Sequence, residues 1–280
     1  MIRQDYGPLT AYEFKSLRSQ RRLAHGIFTR HGGVSSSPWD SLNLSTATGD
    51  SRDHIDENYR RLYGALGHSP ATAVISQQVH GSRVAVVAGE QRGQRLDACD
   101  GLVTDEQGIV LLQRHADCVP ILVYDPKRPA VGVAHAGWRG TLAGLAGELV
   151  RAMREAFGSR PSDLIAAIGP SIGPCCYDVG AEVQRGFIAR HADAGQWLPS
   201  DGRTPAFGTA ARNIGIIAPA GDDGRVRLDL WEANRAMLAA AGVREIEVAG
   251  ICTACNVGEF YSARAENRRN GCFGAVIALL

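Results

Sequence analysis

A single-domain α+β fold is predicted for this 280-residue chain on three observations. Segments of strand character outnumber helical ones and often follow one another with only a turn between them. The regular strand–helix alternation of a parallel doubly wound sheet is missing. No Pro/Ser-rich or charge-biased linker interrupts the chain, so one domain over residues 1–280 is expected, and an apolar content of 45% is ample for its core.

The elements follow from local pattern. Ile55, Tyr59, Leu62, Tyr63 and Leu66 recur at helical spacing behind Asp53, a suitable cap, and predict a helix over His54–Leu66. Short strands are predicted over Ala73–Ser76, Arg83–Val87 and Ile109–Gln113. The apolar runs Val119–Tyr124 and Ala130–Ala134 flank the turn Asp125-Pro126-Lys127-Arg128-Pro129 and read as an antiparallel pair. Leu142, Leu145, Leu149, Val150 and Met153 form one face of a helix over Thr141–Phe157. Beyond it lie a strand at Leu164–Ile168, helices over Ala181–Ala189 and Leu230–Ala241, and strands at Glu245–Ala249 and Ala275–Leu279. The stretch Arg190–Asp223, rich in Gly, Pro, Asp and Ala, reads as an irregular excursion.

Charge and cysteine content exclude several classes. The 30 Lys and Arg nearly balance 29 Asp and Glu, a net charge of +1, so nothing favours nucleic acid or an anionic membrane as partner. No apolar run reaches the length of a membrane span. Met1–Thr10 carries Arg3, Asp5 and Pro8 and lacks the apolar core of a signal peptide. The seven cysteines (Cys99, Cys118, Cys175, Cys176, Cys252, Cys255 and Cys272) are odd in number in a large chain, which suits reduced thiols and a cytoplasmic location.

The densest chemical signal runs from Ala116-Asp117-Cys118 to His135-Ala136-Gly137-Trp138-Arg139-Gly140. Cys118 begins one predicted strand and His135 ends the next, so an antiparallel turn brings them together. A thiol beside an imidazole is a nucleophile–base pair or half of a metal site. His80, in Gln77-Gln78-Val79-His80-Gly81 just past a predicted strand, offers a second imidazole. Two imidazoles and one thiolate match an open zinc site; the plain alternative is a buried cysteine and two satisfied histidines. The His135–Gly140 motif leads from strand to helix and can bind an anion with Arg139, or it is a tight turn whose glycines allow packing.

Three further patterns carry less. Gly169-Pro170-Ser171-Ile172-Gly173 formally matches a nucleophile elbow. Against it stand Pro174 where a helix should start, His191 as the only later histidine, and Asp178 too near in sequence. Cys252-Thr253-Ala254-Cys255 has no second Cys-x-x-Cys or His pair, and structural packing is the preferred reading. No two of the eight histidines are separated by a single residue, so a multicopper cluster is not supported.

Many segments together resemble the YfiH-like family, named for a laccase domain, for purine nucleoside phosphorylase activity and for peptidoglycan editing. They are Phe28-Thr29-Arg30-His31-Gly32-Gly33-Val34-Ser35, Ser41-Leu42-Asn43-Leu44-Ser45, Gly49-Asp50 with Asn58, Gln78-Val79-His80-Gly81 and Asp100-Gly101-Leu102-Val103-Thr104. The Ala-Asp-Cys and His135–Gly140 motifs, Ile168–Gly173, Asp229-Leu230 with Asn234, and Phe260-Tyr261-Ser262 with Arg264 complete the set.

The resemblance implies an α+β fold in which a mixed β-sandwich is flanked by helices, similar to the cytotoxic necrotizing factor deamidases. It implies Zn2+ held by His80, Cys118 and His135, with Cu2+ an alternative occupant in vitro. It further implies phosphorolysis of adenosine, inosine and S-methyl-5'-thioadenosine, with adenosine deamination as a second activity, so nucleoside and phosphate are the expected small-molecule partners. In that reading Cys118, Asp117 and Arg139 are the catalytic candidates, and Arg30, Asn43 and Arg139 face substrate or phosphate. Departures from the family pattern occur at Ala98-Cys99-Asp100, at His115, and at Asn270-Gly271-Cys272, where a Gly-Arg pair is usual. The rival readings are a cysteine-type amidase on a peptidoglycan precursor (a UDP-MurNAc-amino acid), with Cys118 as nucleophile and His135 as base, then a polyphenol oxidase or a non-enzymatic binding protein.

Overall fold

The structure is a computed structural model that describes residues 1–192, 217–218 and 226–280, so nearly all of the excursion predicted over Arg190–Asp223 lies outside the described residues. Two sheets dominate the described chain. The seven-stranded sheet runs from edge to edge through β1 (Ile2–Tyr6), β2 (Leu9–Glu13), β3 (Leu23–Phe28), β15 (Phe273–Leu279), β8 (Val110–His115), β4 (Ala73–Ser76) and β6 (Arg95–Leu96). The six-stranded sheet runs through β14 (Glu245–Val248), β11 (Ile165–Ile168), β9 (Val119–Asp125), β10 (Ala130–Ala136), β7 (Gly101–Thr104) and β5 (Val84–Val86). A two-stranded ribbon pairs β12 (Ile217–Ala218) with β13 (Arg227–Leu228). The helices are α1 (Lys15–Arg18), α2 (Arg52–Ala65), α3 (Trp138–Leu142), α4 (Leu145–Phe157), α5 (Ala181–Ala192) and α6 (Leu230–Ala240). None is long and apolar enough to cross a membrane.

Strand alternation builds four layers. Leu122, Tyr124, Val131 and Val133 of the six-stranded sheet meet Leu111, Ala275, Ile277 and Phe273 of the seven-stranded sheet. Every second residue points the other way: Val119, Ile121, Val123 and Ala134 pack against Leu145, Leu149 and Met153 of α4 and Leu238 of α6. On the far side Leu112 and Val276 pack against Leu62 and Tyr63 of α2. The central strands are thus buried on both faces, which is why β9 up to Tyr124, β10 up to Ala134 and all of β15 are apolar runs. The α+β sandwich flanked by helices is the predicted fold.

Most predicted elements occur within a few residues of their expected bounds. Strands β1 to β3 escape pattern reading because β1 is an edge strand with alternating partial exposure and β3 is broken in character by His25 and Gly26. The helix predicted over Thr141–Phe157 is two helices, α3 and α4, parted at Gly144 with φ +88°. Leu142 packs against the same core as Leu145 and Leu149, so the apolar periodicity continues across a backbone break that only glycine adopts without strain.

The β9–β10 hairpin positions the chemistry. Asp125 accepts from the Lys127 and Arg128 N–H groups at 2.8 and 3.0 Å and fixes the turn. The register then pairs His135 with Pro120 and Ala136 with Val119. Cys118 and His135 meet at the opposite end of the hairpin, as predicted.

One buried histidine makes the fold sensitive to acid. His25 in β3 accepts the Phe14 N–H on Nε2 at 2.9 Å, and burial pushes its pKa down to about 4. The unfolded chain, with a histidine near 6.5, takes up the proton first. Its stabilising contribution is therefore present above pH 6.5 and is lost as pH falls towards 4. Between pH 7 and pH 5 the loss is about 2 kcal/mol. Urea unfolding of the wild type should show this fall, and His25→Asn should remove that part of it; identical pH profiles for the two proteins would refute the assignment.

Candidate metal centre

Three donors converge at the end of the β9–β10 hairpin. Cys118 immediately precedes β9, His135 is the penultimate residue of β10, and His80 comes from the loop between β4 and β5. Their ligand atoms all lie within 4.8 Å of one another. The His80 and His135 rings stand edge to face with centroids 4.9 Å apart. His135 is buried, Cys118 half-buried and His80 exposed, so the set is rooted in the sandwich and opens to solvent on the His80 side.

A buried carboxylate organises all of this. Asp100, just ahead of β7, receives the N–H groups of Val79, His80 and Gly81 at 3.1, 3.0 and 2.8 Å. Its Oδ1 lies 2.9 Å from His135 Nδ1, and its carbonyl accepts the His135 N–H at 2.7 Å. One side chain thus anchors the loop that carries His80 and fixes His135 with its proton on Nδ1, leaving Nε2 as the donor atom. Burial alone would raise the Asp100 pKa, but the His135 hydrogen bond and the N–H groups hold it below the ordinary carboxylate value.

Charge is arranged accordingly. Burial opposes ionisation of Cys118, yet the His135 charge and hydrogen bonds from His135 and His80 bring the thiol down to about 6. Burial likewise opposes a charged His135, but the Cys118 thiolate and Asp100 outweigh it and raise the imidazole to about 9. Neighbouring His115 is held neutral, its pKa pushed well down by burial and by the His135 charge. Its Nδ1 lies 3.2 Å from the Cys118 carbonyl, which helps to hold the turn.

Backbone geometry is demanding on both sides. His80 and Asp117 are non-glycine residues with φ of 61° and 86°. Such conformations cost about 1–2 kcal/mol each and persist where surrounding contacts enforce them. For Asp117 those contacts are Thr253 Oγ1 donating to Oδ1 and the Arg264 N–H donating to Oδ2, each at 2.7 Å, with the Ile172 N–H on its carbonyl at 2.9 Å. The carboxylate is a clamp behind the Cys118 turn.

The glycines of the His135–Gly140 motif serve close packing. A Cβ on Gly137 would lie 2.9 Å from Cys118 Sγ and 3.1 Å from the His80 ring, and one on Gly140 would lie 2.8 Å from the Gly81 carbonyl. Helix α3 has five residues, too few for a helix-end anion site. Arg139 is exposed, its guanidinium 4.3 Å over the Trp138 ring, and its side chain makes no hydrogen bond among the described residues.

Arg30 and Asn43 are occupied by the scaffold. Arg30 donates to the carbonyls of Asp40 and Val257 at 2.9 and 2.7 Å, pairs with Glu266 at 3.0 Å, and stacks 4.3 Å over Tyr261. Asn43 is fully buried; its amide donates to Thr48 and Asp50 at 3.0 Å and accepts from Ser45 and Cys272 at 3.0 and 2.9 Å. Ser171 is no elbow: its buried Oγ accepts from Trp231 Nε1 at 2.6 Å, and no histidine adjoins it among the described residues. An open surface depression of about 580 Å³, lined by Arg92, Glu106 and Arg128, lies at the far end of the hairpin from His135 and is no part of the centre.

The donor set suits a borderline-soft ion. Two imidazole nitrogens and a thiolate, with a carboxylate behind one imidazole and one side open, fit a three-donor zinc site of the catalytic kind. Fold and site together define a helix-flanked β-sandwich with an open two-histidine, one-cysteine centre. The chain belongs to the family described as multi-copper polyphenol oxidoreductase laccase, whose model matches residues 24–280. It is 38% identical over 255 residues to the purine nucleoside phosphorylase YlmD of Geobacillus stearothermophilus, covering 88% of this chain and 86% of that protein. It is 35% identical over 238 residues to the purine nucleoside phosphorylase YfiH of Escherichia coli, covering 85% and 86% of the two. The crystal structure of the Geobacillus protein superposes with a TM-score of 0.84 at 34% identity over 99% of this chain and 97% of that one. A Neisseria meningitidis protein, NMB0706, superposes with a TM-score of 0.78 at 26% identity over 98% and 99%.

Proposed function

We propose that this protein is a zinc-dependent purine nucleoside phosphorylase acting on adenosine, inosine and S-methyl-5'-thioadenosine, with adenosine deamination as a lesser activity. The observation that carries the reading is the open His80–Cys118–His135 donor set with Asp100 behind it, in a chain whose relatives bear the phosphorylase name. An oxidase built on several coppers is disfavoured, because His80, Cys118 and His135 form the only histidine-containing donor group among the described residues.

In phosphorolysis a phosphate oxygen forms a bond to the ribose anomeric carbon while the C–N bond to the purine breaks. The purine leaves with the bonding electron pair and takes up a proton. Zinc, when bound at such an open site, supplies Lewis acidity and lowers the pKa of a bound water to about 7, the chemistry deamination requires. Asp100 holds His135 in the tautomer that presents Nε2. Cys118, ionised at neutral pH, contributes the negative charge of the set. Asp117 fixes the turn that presents Cys118, and so acts as a positioning residue. Arg139, exposed beside the centre, is the guanidinium we assign to the phosphate dianion. Arg30 and Asn43 support the surrounding scaffold.

Ribose 1-phosphate should form from inosine only when phosphate is supplied, and its formation should stop on complete removal of zinc by a chelator and return on adding zinc. Release of the base from inosine at the same rate without phosphate would overturn the reading. The second reading, a cysteine amidase acting on a peptidoglycan precursor, is favoured by one observation: Cys118, His135 and Asp100 line up as nucleophile, base and orienting carboxylate. Activity on a UDP-MurNAc-amino acid that survives zinc removal and is abolished by thiol alkylation would select it.

A further inference from the structure

A second group of donors lies outside the centre described above. Cys175 and Cys176 follow β11, and Cys252 and Cys255 follow β14. Some eighty residues separate the pairs, but β11 and β14 are parallel neighbours, so the turns at their C-terminal ends lie side by side. The bridge between Ser171 and Cys252 extends that pairing. All four sulfurs lie within 4.8 Å of one another. Cys255 Sγ is 3.6 Å from Cys175 Sγ and 3.4 Å from Cys176 Sγ. The adjacent Cys175-Cys176 pair is therefore the partner that the Cys252-x-x-Cys255 motif lacks in sequence.

We propose that Cys175, Cys176, Cys252 and Cys255 form a structural zinc site of four thiolates, separate from the His80–Cys118–His135 centre. The spacing decides against disulfides, whose sulfurs are about 2.05 Å apart; all four cysteines are free thiols. Four sulfurs around a zinc ion, each about 2.3 Å from it, stand about 3.8 Å from one another at the corners of a tetrahedron, close to the separations seen. The donors are all sulfur, the set that selects zinc over hard cations, and four protein ligands leave no open position, as a structural site requires. The backbone N–H of Gly173 donates to Cys252 Sγ at 3.2 Å, and that of Cys255 is also directed to it, the kind of support that orients a thiolate ligand.

The site would act on the first centre through Asp117. The turn of Cys175 and Cys176 also carries Ile172, and the turn of Cys252 and Cys255 carries Thr253; both residues grip Asp117. Arg264, whose N–H holds the other carboxylate oxygen, reaches the carbonyls of Cys176 and Asp178 at 3.4 and 3.2 Å. Tying the two turns together fixes the clamp that keeps Asp117 in its left-handed conformation, one residue from Cys118.

The test is metal stoichiometry on freshly purified, reduced full-length protein. Two zinc ions per chain are expected for the wild type, one for Cys118→Ala, and one for Cys255→Ser, with the circular dichroism of each recorded to show a folded chain. Because Cys118→Ala leaves the four-cysteine group untouched, cobalt chloride added to that variant after zinc removal should give the intense sulfur-to-metal absorption and d–d bands of a tetrahedral thiolate site. Adding Cys255→Ser should weaken them severalfold. Folded Cys118→Ala protein that takes up neither zinc nor cobalt would overturn the proposal. So would disulfides joining the four cysteines in protein isolated under alkylating conditions.

Discussion

If the proposed function holds, Cys118→Ala is expected to empty the proposed His80–Cys118–His135 site of zinc and to lower kcat/KM for inosine by about 10³-fold, the rate equivalent of the several kcal/mol a Lewis acid contributes. The reasoning is electrostatic as well as geometric. Cys118 is the one anionic member of the donor set, brought down to about pKa 6 against the effect of burial. Without it two imidazoles remain and no anionic donor, and only His135 is anchored through its ring by a carboxylate. The fold should survive, because the side chain is small and half-buried and its removal leaves the hairpin register intact. Metal analysis and steady-state kinetics of a variant with native circular dichroism decide the matter. Full zinc occupancy with the wild-type rate would remove Cys118 from both the zinc and the thiol readings. Full occupancy with no activity would favour the thiol as nucleophile.

Asp100→Asn should weaken zinc binding by about 10- to 100-fold, the range found when the hydrogen-bonding partner of a metal-bound histidine is lost. It should also destabilise the fold by about 3 kcal/mol. Asp100 is fully buried and faces His135 Nδ1 and the N–H groups of Val79, His80 and Gly81. An amide keeps one acceptor and turns two N–H donors towards groups that are themselves donors, and a buried donor left without an acceptor costs about 1–3 kcal/mol. If the amide instead donates to His135 Nδ1, the ring proton moves to Nε2, the atom needed for the metal. Competition with a zinc-binding dye and urea unfolding measure the two effects separately. A zinc affinity within twofold of wild type would show that Asp100 does not set the histidine tautomer.

Asp100 also shows where local pattern stops. Asp100-Gly101 precedes an ordinary apolar strand, and nothing in the spacing links it to His135, 35 residues on. The link is made by β7 lying beside β10 in the sheet. Thr253 is equally silent in sequence and reaches Asp117 only because β14 is the neighbour of β11. Arg30 and Asn43 show the converse. Their residue types suit substrate or phosphate, and only the fold shows that Glu266, Asp50 and backbone groups are their partners within the chain. The acid-sensitive His25 and the four-cysteine group belong to the same class, since burial and partner distances decide their chemistry.

What the sequence determined by itself was whatever short-range pattern encodes. Apolar runs on either side of the Asp125–Pro129 turn specify the β9–β10 hairpin, and a hairpin of known register must bring Cys118 to His135. The absence of strand–helix alternation specifies the fold class, and a motif set spread along the chain specifies the family. Tertiary structure alone decided the order of strands in each sheet, and with it the arrival of His80 and Asp100 at the hairpin end and the meeting of four cysteines beyond β11 and β14. Strand order is chosen by the burial of both sheet faces, a sum over residues far apart in sequence, and no local spacing carries that sum.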